Sequence, residues 1–359
     1  MTPLPKPIPI GRTRKTATHN SATACDVIVI GTSTDPHISH VLAHLARDVS
    51  VFRLDVDRFP RDIALTWRTD GSSTLTATRG GRTFDLTTSR AVWFRRLGSI
   101  GVTPALAIDG HRPFAIAESE VLLESLTHVL PNAAWINHYD ATRVSRNKIF
   151  QLLIAHECGL LTPKTLVTNS ASDAEDFIAN AKSVVYKTLA SPRISYNDHT
   201  SLIFTHTLTP EDLKHLNRVA NSSCLFQENI PKAYELRITV VGATQFAVKI
   251  FSQEVPAAQT DWRAASFEAL RYEHASLPLA IAKRLEAVLR RLRLDFAAVD
   301  MIVTPDGDHV FLEANPHGAW LWLEEQLAVP ISLHFSKLIA GLVDKGRLRP
   351  KAGDVTIET

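Results

Sequence analysis

Two acids set inside apolar runs constrain this chain more than any other feature. Ala297 to Thr304 is apolar and β-branched, Pro305-Asp306-Gly307-Asp308 carries turn residues, and His309 to Ala314 is a second apolar run. The pattern predicts strand, turn and strand within Leu294 to Glu324, with Asp300 in the first run and Glu313 in the second. A loop of two or four residues puts the two acids directly opposite each other, and Asn315 shares the face of Glu313 by the strand period. Facing carboxylates repel, and an acid in apolar surroundings is costly without a partner. The pairing makes sense around a cation. Two carboxylates and an amide oxygen are hard donors, suited to Mg²⁺ or Mn²⁺ rather than zinc. A surface hairpin with scattered acids is the plainer alternative, and the apolar context ranks it lower.

With 359 residues the chain is long enough for two or three lobes and a sizeable core. With a net charge of +2, nothing argues for nucleic acid or a membrane as the main partner, and no apolar run approaches the length of a membrane span. Cys25, Cys158 and Cys224 lie far apart without metal-ligand or redox spacing, which suits free thiols in a reducing cytoplasm. Residues 1–24 are basic, hold no acid and lack the apolar segment of a secretory signal, so a disordered tail is expected.

A first lobe is expected over 25–140. Asp26 to Gly31 and Val51 to Leu54 read as buried parallel strands around a helix near Ile38 to Ala46. Gly31 alone does not make a dinucleotide-binding glycine motif. Residues 63–90 predict antiparallel hairpins, and Ala91 to Phe94 a strand ending in Arg95-Arg96. That arginine pair reads equally as a reader of acidic substrate or as surface or inter-lobe ion pairs. A helix is expected over Ala115 to Leu130. The second lobe, 141–224, opens with an amphipathic helix over Ser145 to Gly159, with Ile149, Leu152, Leu153 and His156 at helical spacing. Thr165 to Thr168 and Ser183 to Leu189 predict strands, Ser172 to Glu175 a capping box, and Ala190 to Ser201 a mobile loop. The third lobe, 225–346, holds a strand or linker at Leu225 to Ile230 and a hairpin about Gly242. A helix capped by Ser276 then runs to Arg293, followed by the acid-bearing hairpin and a final helix from Pro330; residues 347–359 form a tail.

Lys148 and Lys187 are isolated cations in apolar contexts of the second lobe, Gln227-Glu228-Asn229-Ile230 is hinge-like, and Asp300, Glu313 and Asn315 follow in the third. A nucleoside triphosphate needs cations and a divalent ion for its phosphates, and backbone polar groups for the adenine edge. No P-loop is present to hold the phosphates instead.

This order resembles the ATP-grasp ligases, most closely the microviridin-type, or graspetide, peptide maturases. The likeness runs through Arg146-Asn147-Lys148 with Gln151-Leu152, Thr162 to Asn169, Gln227-Glu228, Tyr234 to Gly242, Ser252-Gln253, Asp261-Trp262-Arg263, and Phe311 to Glu324. It implies mixed α/β and α+β architecture: an ATP-grasp fold of two closing lobes behind an N-terminal pre-ATP-grasp α/β domain. It also implies roles. Lys148 and Lys187 look like the ATP-phosphate lysines, Gln227, Glu228, Asn229 and Ile230 like the adenine hinge, and Glu235 like the ribose holder. Arg237, Lys249 and Arg263 look like cations at the γ-phosphate and acyl phosphate. Asp300, Glu313 and Asn315 look like Mg²⁺ ligands. Each cation also has a plainer reading as a solvated or ion-paired side chain, and Trp320 and Trp322 read as packing aromatics.

The resemblance implies an ATP-dependent carboxylate ligase working through an acyl phosphate. Its substrate would be a ribosomally made precursor peptide, whose Asp or Glu side chains are joined to Ser, Thr or Lys in ester or amide rings. ATP and Mg²⁺, or Mn²⁺, are the implied cofactors, and a homodimer is compatible with the family. The alternatives are a RimK-like ligase adding an amino acid to a small molecule or protein tail, and a nucleotide-binding module without ligase activity.

Overall fold

The computed structural model describes residues 22–70, 72–103, 110–190, 193–195 and 200–347. In chain order, the first lobe holds β1 (Thr23–Ala24), β2 (Val27–Gly31), α1 (Pro36–Ala43), β3 (Val51–Asp55), β4 (Ile63–Thr69), β5 (Ser73–Arg79), β6 (Arg82–Asp85), β7 (Ala91–Phe94), α2 (His111–Val129) and β8 (Ala134–Ile136). Four of these strands form a parallel sheet in the order β3-β2-β7-β8, and the others a sheet in the order β1-β6-β5-β4. The central strands β2 and β7 are apolar and buried throughout, as burial on both faces requires.

Two helices, α3 (Tyr139–Ser145) and α4 (Lys148–Glu157), lead into β9 (Thr165–Thr168), α5 (Ala171–Ala179) and β10 (Val184–Lys187). After them come β11 (Arg193–Ser195), β12 (Thr200–Leu202), β13 (His206–Thr207), α6 (Pro210–Leu213) and β14 (Cys224–Glu228). The second-lobe sheet has the order β13-β10-β14-β9 and is antiparallel. The third lobe contains β15 (Tyr234–Val241), β16 (Thr244–Ile250), β17 (Tyr272–Ala275), α7 (Leu279–Leu292), β18 (Phe296–Val303), β19 (His309–Asn315), α8 (Leu321–Leu327) and α9 (Ile331–Arg347). Its antiparallel sheet runs β17-β16-β15-β18-β19.

One face of this last sheet packs on α7 and α4 through Leu236, Ile238, Val299 and Leu289. On the other side, a single core joins the first and third lobes, with Val29 and Trp93 against Val248, Phe296, Trp320 and Phe335. Trp320 and Trp322 are core aromatics, as their context suggests.

Several local expectations shift. Thr23–Ala24 pairs with β6, so the chain is ordered before residue 25; of the expected tail, residues 1–21 lie outside the described residues. In the expected loop, β11 pairs with β12, while residues 191–192 and 196–199 lie outside the described ones. β14 is hydrogen-bonded to β9 and β10, which puts the hinge strand in the second-lobe sheet. The helix expected from Ser145 starts later: α3 ends at Ser145, and α4 begins at Lys148, capped by the side chain of Asn147. Its buried residues are Gln151, Ile154 and Ala155, while Ile149 and Leu153 face outward. Ser170, not Ser172, caps α5, and α7 begins at Leu279 after Pro278 without a side-chain cap. Of the expected final tail, α9 takes in Arg347, and residues 348–359 lie outside the described ones.

Candidate active site

Asp300 and Glu313 are cross-strand partners, as the opening pattern requires. They reach that register by an unexpected route. Val303 pairs with His309 across a five-residue loop, 304–308, and a bulge on β19 between Phe311 and Glu313 restores the alignment. Asn315 lies opposite Ala298, on the same face as Glu313. Glu235 and Arg237 alternate onto this face from β15, because Arg237 stands opposite Asp300. Asp300, Glu313, Asn315 and Glu235 floor a cleft of about 530 Å³ between the lobes, with Arg237 behind Asp300.

Across the cleft stand the two lysines. The cap at Asn147 puts Lys148 at the first position of α4, with its Nζ 3.2 Å from Glu313 Oε2. Lys187, the last residue of β10, also lines the cleft. Burial draws its ammonium down to about 8, against the pull of Glu313, so it stays largely charged at neutral pH. Gln227, Glu228, Asn229 and Ile230 line the same cleft. The amides of Glu228 and Asn229 donate to the carbonyls of Lys164 and Ser183, each at 2.9 Å.

Burial and Glu313 push the Asp300 carboxyl up, against Arg237, which donates to both of its oxygens at 2.9 Å. Glu313 moves the other way: burial is outweighed by Lys148, Arg263 and Lys187. Glu235 is pushed up by burial although Lys232 and Ser252 donate to its Oε1 at 2.6 and 2.9 Å. Arg263 donates from Nε and Nη2 to the two oxygens of Asp261, at 2.8 and 2.7 Å.

Lys249 is the exception among the expected residues. It pairs with Leu236, not Arg237, so its side chain leaves from the opposite face of the sheet. Its Nζ lies 4.9 Å from the centre of the Tyr234 ring, and the residue does not line the cleft. Arg237 also stands apart from the cleft lining, held behind Asp300. The Arg95-Arg96 pair divides: Arg95 is buried, ion-paired with Asp35 inside the first lobe and hydrogen-bonded across to the His317 carbonyl, while Arg96 reaches the cleft.

Among the described residues no group of three or more His, Cys, Asp or Glu side chains is placed to hold a metal. The set here is two carboxylates and an amide, and its chemistry fits a hard divalent ion. The upward push on Asp300 from the carboxylate facing it is what such an ion would relieve.

Sequence reasoning left three contributors without a role, naming Asp261 and Gln151 only within the motifs that carry the family likeness. Lys232 neutralises Glu235, and Asp261 orients Arg263 while accepting from the Thr205 amide at 3.0 Å. Gln151 is buried, accepts from the Ala314 amide at 2.7 Å and donates to the Ala314 carbonyl at 2.8 Å. Besides its place in that motif, its sign was a polar residue on the apolar side of α4.

A family model for the MvdD pre-ATP grasp domain matches residues 26–143. No curated protein matches the chain by sequence. Among solved structures, a Chryseobacterium gregarium RiPP-associated ATP-grasp ligase, in complex with ADP and a leader and core peptide, superposes with a TM-score of 0.82 at 28% identity, over 88% of this chain and 97% of that one. The macrocyclase MdnC of Microcystis aeruginosa MRC, bound with precursor peptide MdnA, gives 0.78 at 31% identity, over 88% of this chain and 99% of that one. MdnB, a macrocyclase of the same strain, gives 0.73 at 28% identity, over 88% and 99%.

Proposed function

The chain belongs to the ATP-grasp ligases that mature ribosomally made peptides, the microviridin-type group, and from that premise we propose that its cleft joins side chains of a precursor peptide at the expense of ATP. One observation carries the site assignment. Asp300, Glu313 and Asn315 share one sheet face, and Lys148 and Lys187 meet them across the cleft. Lys148, Lys187 and Arg263 take the phosphates. Gln227 to Ile230 take the adenine edge. Among the described residues the Ile230 amide has no acceptor, which suits it to a ring nitrogen. Glu235, neutralised by Lys232, takes the ribose hydroxyls.

Asp300, Glu313 and Asn315 would hold Mg²⁺, or Mn²⁺ in its place, and a bound divalent ion neutralises phosphate charge that would otherwise repel an incoming carboxylate. The chain's own cations do the rest by electrostatic stabilisation. The substrate carboxylate attacks the γ-phosphorus, the bond to the β-phosphate oxygen breaks, and ADP leaves. A hydroxyl or amine then attacks the acyl carbon, phosphate departs, and the nucleophile's proton passes to solvent. Arg237 braces Asp300 rather than touching phosphate. Lys249 has no part in this scheme.

The free thiols of Cys25, Cys158 and Cys224 support a cytoplasmic setting. Among the described residues no helix is long and apolar enough to cross a membrane. A homodimer would bury exposed apolar side chains such as Phe114, Val121, Ile149 and Leu153.

Peptide-dependent release of ADP tests the assignment. Asp300→Asn is expected to lower turnover by at least about 100-fold, the order of a lost charge-stabilising group. Near wild-type turnover would remove the metal role from this residue.

A further inference from the structure

The first lobe is a parallel sheet whose strand order reverses between β2 and β7. In such sheets the crevice beyond the carboxyl ends of the strands, at the reversal, is where ligands bind. Here that crevice holds part of the chain itself, the segment 315–320 that follows β19.

Arg95, just past β7, donates from Nη1 to the His317 carbonyl at 2.7 Å, and its own carbonyl accepts from His317 Nδ1. Its guanidinium carbon lies 5.2 Å from the centre of the Trp320 ring. His37, in α1, donates from Nδ1 to Asp35 at 2.8 Å, which leaves Nε2 to accept the Trp320 amide at 3.1 Å. Asp35 binds the set together, 3.2 Å from Arg95 Nε and 3.0 Å from Arg96 Nη2. The segment thus gives a carbonyl, an amide and an imidazole to the first lobe. On its other side it is tied to Asn315, whose Oδ1 accepts the His317 amide at 2.9 Å.

We propose that Arg95 and His37 are positioning residues for divalent-cation binding: the first lobe clamps 315–320 and so holds Asn315 on the face of Asp300 and Glu313. The proposal rests on the assignment of those three as the metal set. It gives Arg95 and His37, neither of which lines the cleft, a role in the active site. Residues that orient a metal ligand change metal affinity by about 10- to 100-fold when lost.

The test follows Mn²⁺ binding to the full chain at saturating ADP, by electron paramagnetic resonance of free Mn²⁺, beside ADP binding in EDTA. Arg95→Lys keeps a charge against Asp35 but cannot also reach the His317 carbonyl with a planar fork. His37→Leu releases the Trp320 amide independently. Each is expected to weaken Mn²⁺ binding about 10-fold or more and to leave ADP affinity in EDTA unchanged. Arg79→Ala, which loosens the first lobe at its Asp55 ion pair, is the control and is expected to change neither. Mn²⁺ affinity at the wild-type level in Arg95→Lys and His37→Leu, or an equal loss of metal-free ADP binding, would overturn the proposal. Glu313→Gln separates the two claims. If it too binds Mn²⁺ like wild type, the metal set itself is wrong; if it loses Mn²⁺ while Arg95→Lys does not, only the clamp is wrong.

Discussion

At the scale of single residues, the site is a balance of buried charges that no partner can leave without cost. Asp300 is held by Arg237, Glu313 by Lys148 and Glu235 by Lys232. In the largely buried Arg237–Asp300 and Lys232–Glu235 pairs, removing one member strands the other charge, a loss of about 3–5 kcal/mol; the more exposed Lys148–Glu313 pair loses less. The clamp residues follow a different rule, because their imidazoles are kept neutral. Burial, with Arg95 nearby, lowers His37 and brings His317 down to about 3. The unfolded chain takes up protons near the ordinary histidine value of about 6.5. Above it neither state is charged. As pH falls below it, the unfolded state binds protons that the fold refuses, so stability is expected to drop by up to about 1.4 kcal/mol per pH unit for each histidine. Asp35 adds to the loss at lower pH, since His37, Arg95 and Arg96 outweigh burial and hold its carboxyl below the usual range. Melting temperatures from pH 7.5 down to 4.5 check this: His317→Asn is expected to flatten the decline, and a slope parallel to wild type would contradict it. The acids were legible because each broke an apolar strand pattern. Lys249 was misplaced because its face depends on hairpin register, which residue type does not encode.

Elements show how the site strand is pinned. β19 is an edge strand, and its outer side is covered by Leu161, whose carbonyl accepts the Phe311 amide at 2.8 Å, and by Gln151 on Ala314. Beyond it, Gly318 lets segment 315–320 lie against the sheet. A Cβ there would stand 2.1 Å from the Ala298 Cβ and 2.9 Å from Arg237 Nη2. Gly318→Ala is therefore expected to cost about 1–3 kcal/mol, the price of overpacking, and to weaken Mn²⁺ binding with it. Adding Ala298→Gly should recover part of both, which thermal melts and Mn²⁺ titration would show; full tolerance of Gly318→Ala would contradict the close approach. Strand and helix types were largely legible from periodicity. The bulge on β19 and the caps were not. Ser170 and Ser172 are equally good caps by type, and the choice is made where α5 packs on β9.

For the whole molecule, what joins the lobes is the least legible. Asn137 reaches from the first lobe to β18, accepting the amides of Asp295 and Phe296 at 2.8 and 2.9 Å and donating to the Phe296 carbonyl at 2.8 Å. The partnership of Arg95 with His317 spans 222 residues. No local propensity marks either contact, although the order of lysines, hinge and acids along the chain was enough to suggest three lobes around a nucleotide. The central claim is that this nucleotide serves bond formation within one peptide. The direct measurement is the intact mass of a short Thr/Ser- and Asp/Glu-rich candidate precursor peptide that elicits ADP release, after incubation with the enzyme and MgATP. The expected result is the loss of one water for each bond formed, absent with Asp300→Asn. A mass gained by an added residue, or a peptide unchanged in the presence of MgATP, would contradict it.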